Sequence, residues 1–345
     1  MEKYIDFIVN EIVTLARIPS PTGYTHLAMK YIEEEFQKLG IDYVVTRKGA
    51  VIATVKGRNN NQSRVVSAHL DTLGAMVKEI KASGRIKFTP IGGFMMNAIE
   101  NENCFIETND GNSISGTILT TKPSVHIHSD AKTLERNVDN MEIVLDERVE
   151  SKEDTQKLGI EIGDFIHFDT RTQVTKTGFI KSRHMDDKAS VGILLGVIKY
   201  MKENNIVPEY RTDFFFTAYE EVGHGAAASV SADAFEFLSV DMGAPGEGQN
   251  STEFAVCICA KDSSGPYDYT FRNKLTSLSK ENNIDYRIDI YPNYGSDASA
   301  ALRAGYDLRA GLIGPGVFAS HGYERTHKDG LLNTAKLINL YLQTK

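Results

Sequence analysis

Short segments of this sequence place acidic and imidazole side chains beside apolar runs. The residues concerned are His69 and Asp71 in VVSAHLD, Asp186 in RHMDDKAS, Glu220 and Glu221 in FFFTAYEEVGHGA, Asp241 in FLSVDMGAPG and His321 in FASHGYERTH. Most of these runs predict strands, and functional side chains of open α/β sheets gather where the strands end. We therefore expect these side chains to lie close together in the folded chain.

Metal-assisted hydrolysis is the chemistry that this set of side chains could perform. Two histidines and three carboxylates are nitrogen and oxygen ligands that a pair of Zn²⁺ or Co²⁺ ions accepts, and a shared carboxylate can bridge the ions. Such a pair activates water and stabilises a developing oxyanion, and a carboxylate that binds no metal can act as general base. A metal pair also explains why Asp186 and Asp187 are adjacent, because neighbouring carboxylates repel unless a cation or hydrogen bonds hold them.

Each segment alone has an ordinary structural explanation. Asp71 could simply accept a hydrogen bond from His69, because residues two apart share one face of a strand. The Glu220–Glu221 pair could be a solvated strand end, and His321 could be a common loop histidine. The order of all these segments along one chain, rather than any single motif, favours the metal site.

Helices and strands alternate in the two parts of the chain that would position these residues. Hydrophobic periodicity predicts helices at 2–17 and about 25–39, and strands at 43–47, 50–56 and 64–69, with NNNQ at 59–62 as a turn. After residue 175, SVGILLGVIKYM predicts a helix, and TDFFFTAY and FAVCICA predict strands. We therefore expect an α/β domain formed by residues 1–72 and 167–345.

The segment between those parts, residues 73–166, has a different pattern. Short alternating stretches such as IKFTPIG, PSVHIHS and MEIVLDE are broken by Gly, Asn and Asp, which predicts a small inserted β barrel or sandwich. The alternation of His126 and His128 predicts that both lie on one face of an insert strand. An interface or structural role is favoured over metal binding for this pair.

Charge and composition exclude several classes of partner. The net charge is −8 and no run is rich in Lys and Arg, so nucleic acid and anionic membranes are not expected as partners. The N-terminal MEKYIDFIVNEIV lacks the basic start of a signal peptide, and no apolar run reaches the roughly 20 residues of a membrane helix. With only three cysteines, the chain fits a reducing cytoplasm.

The order HLD, MDD, EEVG, VDMG, GSDA and a late histidine resembles the tetrahedral, or deblocking, aminopeptidases. These are dinuclear zinc exopeptidases that include glutamyl aminopeptidases, and the resemblance extends over nearly the whole chain. It implies a mixed-sheet α/β catalytic domain of the zinc-exopeptidase type with an inserted small β barrel. It also implies short peptides as substrates and homo-oligomers, in which the barrel forms dimers that build a dodecamer.

The resemblance further implies a role for each candidate metal ligand. Asp186 would bridge two divalent ions, with Zn²⁺ as first choice and Co²⁺ or Mn²⁺ as alternatives. His69 and Asp241 would complete one metal site, and Glu221 and His321 would complete the other. Asp187 would support or cap this arrangement.

The remaining implied roles belong to catalysis and substrate binding. Glu220 would be the general base, and Asp71 would orient His69. Asp297 and Gly295, in the GSDA motif, would line the substrate side, where Asp297 could hold the free α-amino group. The chain departs from the family pattern at Lys188, at Thr72 and in GYERTH after the late histidine. These departures remove none of the predicted metal ligands, but they bear on which substrate side chain is preferred.

Two other functions fit the same fold. One is a dinuclear-zinc deacylase or carboxypeptidase that acts on N-acyl amino acids, and the other is a non-enzymatic assembly protein. The complete ligand set together with Glu220 argues against the assembly protein. The position of the insert directly after HLD, with EEVGHGA and GSDASAA, favours the aminopeptidase over the deacylase.

Overall fold

The computed structural model describes all 345 residues. They form two compact units, one made of Met1–Asp71 with Arg171–Lys345 and the other of Thr72–Thr170. The second unit begins one residue before and ends four residues after the insert range of 73–166. No helix has the length and apolar character of a membrane span.

The first unit contains most of the helices. The helices of the chain are α1 Ile5–Ala16, α2 His26–Leu39, α3 Lys152–Lys157, α4 Met185–Glu203, α5 Tyr269–Glu281, α6 Asp297–Arg303 and α7 Lys328–Leu342. Short 3₁₀ turns lie at Glu2–Tyr4, Met96–Ala98 and Glu220–Val222. Of these elements, α3 and the turn at Met96–Ala98 belong to the second unit.

Strands make up the rest of the regular structure. They are β1 Tyr43–Val45, β2 Val51–Val55, β3 Asn59–His69, β4 Gly74–Ile80, β5 Ile86–Ile91, β6 Asn103–Glu107, β7 Ser113–Thr120, β8 Met141–Leu145, β9 Phe165–Phe168, β10 Gln173–Val174, β11 Phe179–Ser182, β12 Tyr210–Thr217, β13 Ala234–Val240, β14 Val256–Asp262, β15 Gly265–Pro266, β16 Tyr286–Ile290, β17 Arg309–Pro315 and β18 Glu324–His327.

A nine-stranded mixed sheet forms the centre of the first unit, which confirms the predicted fold class. Its order is β1-β2-β12-β3-β13-β17-β14-β15, with β16 beside β14. The pairs β12–β3, β3–β13 and β13–β17 are parallel, whereas β2–β12 and β17–β14 are antiparallel. The central strands are buried along most of their length, as expected for parallel strands covered on both faces.

Helix α4 packs unusually closely against α1. A Cβ atom on Gly196 would lie 2.3 Å from Ile8 Cγ1, and one on Gly192 would lie 2.6 Å from Ile12 Cγ1, so glycine is required at both positions. The buried Lys188 Nζ donates to the carbonyl of Leu15, in the last turn of α1, at 2.8 Å. It also donates to the carbonyl of Ile18, just beyond α1, at 2.7 Å. These contacts fix the N-terminal end of α4.

The second unit is a closed barrel of six strands in the order β4-β5-β8-β7-β6-β9, which confirms the predicted inserted barrel. Its antiparallel strands enclose a separate apolar core that includes Ile86, Phe88, Ile106, Ile143 and Ile166.

Two local predictions are wrong. The NNNQ segment is the start of β3 rather than a turn, and Asn59 pairs with Tyr210. The SVHIHS segment forms a turn in which the His128 N–H donates to the Ser124 carbonyl at 2.9 Å. His126 and His128 therefore do not share a strand face, because local backbone hydrogen bonds replace strand pairing there.

Candidate active site

The parallel centre of the sheet brings the predicted site residues to one edge. His69 ends β3, the Glu220–Val222 turn follows β12, and Asp241 follows β13. Since β12, β3 and β13 are adjacent and parallel, their carboxyl ends meet at the same edge. His321 comes from the loop between β17 and β18.

The carboxylate of Asp186 lies between two imidazole rings. Its Oδ1 is 3.1 Å from His69 Nε2, and its Oδ2 is 3.2 Å from His321 Nε2. His321 Nε2 is also 3.5 Å from Glu221 Oε2, and His69 Nε2 is 3.7 Å from Glu220 Oε2. One carboxylate thus faces both histidines that the family resemblance assigns to separate metal sites.

Potential ligand atoms form two groups, and within each group the atoms lie within 4.8 Å of one another. One comprises His69, Asp186 and Glu221, and the other comprises His69, Asp187 and Asp241. Asp187 was predicted only as a supporting group, but its position beside Asp241 also makes it a candidate ligand. Its Oδ2 accepts the His69 N–H at 3.2 Å, whereas its Oδ1 is buried without a hydrogen bond.

Asp186 and Asp187 point to different partners because the backbone is not helical there. Within α4, these two residues have ψ angles of 99° and 24°, respectively, so the regular helix begins after them. The sequence pattern of adjacent acids therefore reflects a bend that presents both carboxylates to the site.

The acids of this cluster are buried where an uncompensated negative charge is unfavourable. Burial raises the pKa of Glu220, Glu221 and Asp187 well above the usual range and that of Asp241 to about 7. Burial also opposes ionisation of Asp186, but hydrogen bonds from both histidines outweigh it and lower its pKa.

Divalent cations fit this environment. Glu221 Oε1 is buried without a hydrogen bond, as is Asp187 Oδ1, and an ion would satisfy oxygens of this kind. Imidazole nitrogens with carboxylate oxygens are ligands suited to Zn²⁺ and similar ions. The cluster could therefore bind metal.

Asp71 supports the site in two ways. Its backbone carbonyl lies 2.9 Å from His69 Nδ1, whereas its carboxylate Oδ1 is 3.7 Å away. The carboxylate instead accepts the backbone N–H groups of Glu220, at 3.1 Å, and Glu221, at 3.3 Å, and the Thr22 hydroxyl at 2.6 Å. The main chain of Asp71 thus contacts His69, and its side chain holds the two glutamates.

Glu324 is a supporting residue that the sequence reasoning missed. Its buried carboxylate accepts the N–H groups of Met185, at 2.6 Å, and Asp186, at 3.1 Å, through Oε2, and that of His321, at 2.9 Å, through Oε1. His321 has a φ of 61°, in the left-handed region. Only the spacing from the late histidine could have indicated Glu324, because its other partners, Met185 and Asp186, are distant in sequence.

Asp297, predicted to line the substrate side, is buried against the loop that follows the glutamates. It is 1% exposed, its Oδ1 accepts the Ala226 N–H at 2.7 Å, and its Oδ2 accepts the Thr217 hydroxyl. A Cβ atom on Gly225 would lie 2.2 Å from Asp297 Oδ1, so this carboxylate packs tightly behind the loop. Asp297 therefore positions the loop after the glutamates, and its predicted contact with a substrate amino group stays a prediction.

A cavity of about 560 Å³ opens at the cluster. Of the predicted residues, it is lined by Asp186, Glu220, Glu221, Asp241, His321 and Gly295. His69, Asp71 and Asp297 lie outside this lining. The acids are thus accessible from one side to a ligand of moderate size.

Residues 49–337 match the sequence model of the M42 glutamyl aminopeptidases. The chain belongs to the M42 family. This membership confirms the family resemblance predicted from the motifs, and it makes the protein an aminopeptidase, a hydrolase that acts on peptide bonds.

Individual relatives of this M42 aminopeptidase cover nearly its full length. The putative aminopeptidase YhfE of Bacillus subtilis is 51% identical over 96% of each chain. Among solved structures, the TET1 peptidase of Pyrococcus horikoshii matches with a TM-score of 0.85 at 23% identity, covering 98% of this chain and 100% of that one. Aminopeptidase APDkam598 of Desulfurococcus kamchatkensis gives 0.89 at 20% identity, covering 99% and 95%. The two structural matches agree on the fold.

Proposed function

We propose that this M42 aminopeptidase uses two divalent metal ions per chain to remove N-terminal residues from short peptides. The observation that carries the proposal is the Asp186 carboxylate, which has one histidine on each of its oxygens. This arrangement suits a bridging role, since each oxygen of Asp186 could serve a different ion.

The proposed ligand assignment is the one implied by the family resemblance, and it agrees with the contacts of Asp186 with His69 and His321. Asp186 bridges, His69 and Asp241 complete one site, and Glu221 and His321 complete the other. Zn²⁺ is the proposed ion, with Co²⁺ and Mn²⁺ as alternatives, because geometry and availability as well as ligand type decide between them.

Bound ions of this kind would polarise the scissile carbonyl and lower the pKa of a water molecule. Glu220 is the proposed general base, since it lines the cavity and its Oε2 is within 3.7 Å of His69 Nε2. It takes a proton from the attacking water and then gives it to the leaving amine, so its carboxylate is restored. Asp71 holds the backbone of Glu220 in place for both transfers.

Free-amine and N-acylated substrates separate this proposal from the deacylase or carboxypeptidase alternative. Leucine p-nitroanilide should be hydrolysed and its N-acetyl derivative should not, because an aminopeptidase recognises the free amine. Preferential hydrolysis of the N-acetyl compound would contradict the proposed function. The family and the names of its relatives do not favour that alternative.

We also infer that the chain forms homo-oligomers through its barrel unit. The TET1 peptidase of the structural comparison can assemble into a tetrahedron or an octahedral shell, and the barrel unit exposes Met95, Val125, Ile127 and Ile162. Dimers that build a dodecamer are the proposed form. The cytoplasm is the proposed location, since all three cysteines are free and buried.

Replacing Glu324 by glutamine is expected to lower Zn²⁺ affinity by about 10–100-fold, the range for residues that support metal ligands from behind. The glutamine amide would turn a donor toward at least one of the N–H groups of Met185, Asp186 and His321. Calorimetric titration of metal-free protein measures the affinity. Glu281→Gln, at an exposed site, is the control, and an unchanged affinity in Glu324→Gln would contradict the positioning role.

A further inference from the structure

The cavity wall away from the acids comes from two stretches of the chain, one contributing Met242, Ala244, Pro245 and Gln249 and the other contributing residues 291–295. Its apolar and aromatic contributors are Met242, Ala244, Pro245, Tyr291, Pro292 and Tyr294. No lysine or arginine lines the cavity. A substrate side chain in this space would therefore meet no positive charge from the protein.

The tyrosine hydroxyls of this wall are already occupied by the protein. The Tyr291 hydroxyl is 2.6 Å from Ser251 Oγ, and the Tyr294 hydroxyl donates to the Met242 carbonyl at 2.8 Å. The two rings pack with their centroids 5.3 Å apart. Since both polar ends are used, the tyrosines offer mainly carbon surface to a ligand.

An acid behind this wall, Asp289, is also fully engaged, and it shares Ser251 with Tyr291. Asp289 is buried, and its Oδ2 accepts the Ser251 N–H at 2.8 Å and the Ser251 hydroxyl at 2.6 Å. Its Oδ1 accepts the Ile290 N–H at 2.9 Å. The neighbours of the Gln249 side chain are satisfied when its amide nitrogen, rather than its oxygen, faces Asp289. In that orientation the nitrogen donates to Asp289 Oδ1 at 2.8 Å. Asp289 is thus saturated and cannot pair with a substrate ammonium group.

We propose that this cavity selects peptides with an uncharged, mainly apolar N-terminal residue over those that begin with Glu or Lys. The inference rests on the proposed function, in which the N-terminal residue enters the cavity beside the metal cluster. A carboxylate that leaves water without an opposite charge is strongly disfavoured, and an ammonium group would meet only acids that the proposed function assigns to metal binding and catalysis. An aliphatic side chain instead gains by covering the wall. The selectivity is therefore set by the neutral wall.

Turnover of aminoacyl p-nitroanilides by the Zn²⁺- or Co²⁺-loaded protein tests the preference. The value of kcat/KM for leucine and methionine should exceed that for glutamate and lysine at least 10-fold. Dissociation constants of free leucine, glutamate and lysine, measured by calorimetry, should follow the same order. A preference for glutamate or lysine would overturn this inference while leaving the aminopeptidase proposal intact. No turnover of any anilide would overturn both.

A charge introduced into the wall tests the cause. Asn293 lines the cavity and is exposed, so Asn293→Lys adds a cation without burying it. The kcat/KM ratio of glutamyl to leucyl anilide should rise at least 10-fold in Asn293→Lys and remain unchanged in the neutral control Asn293→Gln. Equal ratios in the two variants would show that missing positive charge does not set the preference.

Discussion

Replacing Glu220 by glutamine is expected to lower kcat by about 10²–10⁴-fold, the usual contribution of a general base, while metal content stays unchanged. The glutamine amide has nearly the same shape but cannot take a proton from water. Because Glu220 is not a proposed ligand, the ions should remain bound. Steady-state kinetics and metal analysis of the same preparation separate the two effects.

The matched control for this variant is Glu34→Gln, because Glu34 is an exposed glutamate on α2. It should retain wild-type kinetics and metal content. Wild-type turnover in Glu220→Gln would rule out the general-base assignment. Loss of metal in that variant would instead make Glu220 a ligand.

Replacing Asp186 by asparagine is expected to weaken binding of both metal ions, because its two oxygens face different histidines. His69→Ala and His321→Ala should each weaken mainly one ion and leave the other bound. The loss of affinity should exceed about 100-fold, since even residues behind the ligands contribute 10–100-fold. Zinc titration of the metal-free variants measures both the number of sites and their affinities.

His26→Ala provides the control for the histidine variants, because His26 is exposed at the start of α2. It should bind two ions as the wild type does. If Asp186→Asn lost only one ion, the bridging assignment would be wrong. Asp187, which lies within reach of His69 and Asp241, would then be the residue to replace next.

The sequence predicted which segments lie close together, because the ends of the strands can be recognised from the apolar runs. The apolar runs before His69, Glu220 and Asp241 become buried strands that are adjacent in the sheet. Parallel neighbouring strands place their carboxyl ends at the same edge of the sheet. Motifs that follow such strands in the sequence are therefore expected to lie close together. The change to short alternating segments likewise predicted a separate β unit.

Contacts between distant segments could not be predicted in the same way. Glu324 reaches the backbone of Asp186 only because β18 pairs with β11, directly before α4. The burial of Asp297 could not be predicted for a related reason, since it depends on how α6 packs behind the loop at Ala226. Spacing along the chain does not encode such packing.

Local backbone geometry accounts for the other errors. The polar NNNQ segment extends β3 because strand pairing uses backbone groups, which do not depend on side-chain polarity. The adjacent acids Asp186 and Asp187 belong to one sequence motif, but the backbone is not helical at these residues. Each carboxylate therefore has different partners.

Metal content per chain, measured together with aminoacyl-anilide turnover before and after chelation, tests the central claim most directly. The account predicts about two divalent ions per chain, loss of turnover when a chelator removes them, and recovery when Zn²⁺ or Co²⁺ is restored. A folded protein that binds no metal after resupply, or that hydrolyses the anilides equally well without it, would contradict a dinuclear metal mechanism.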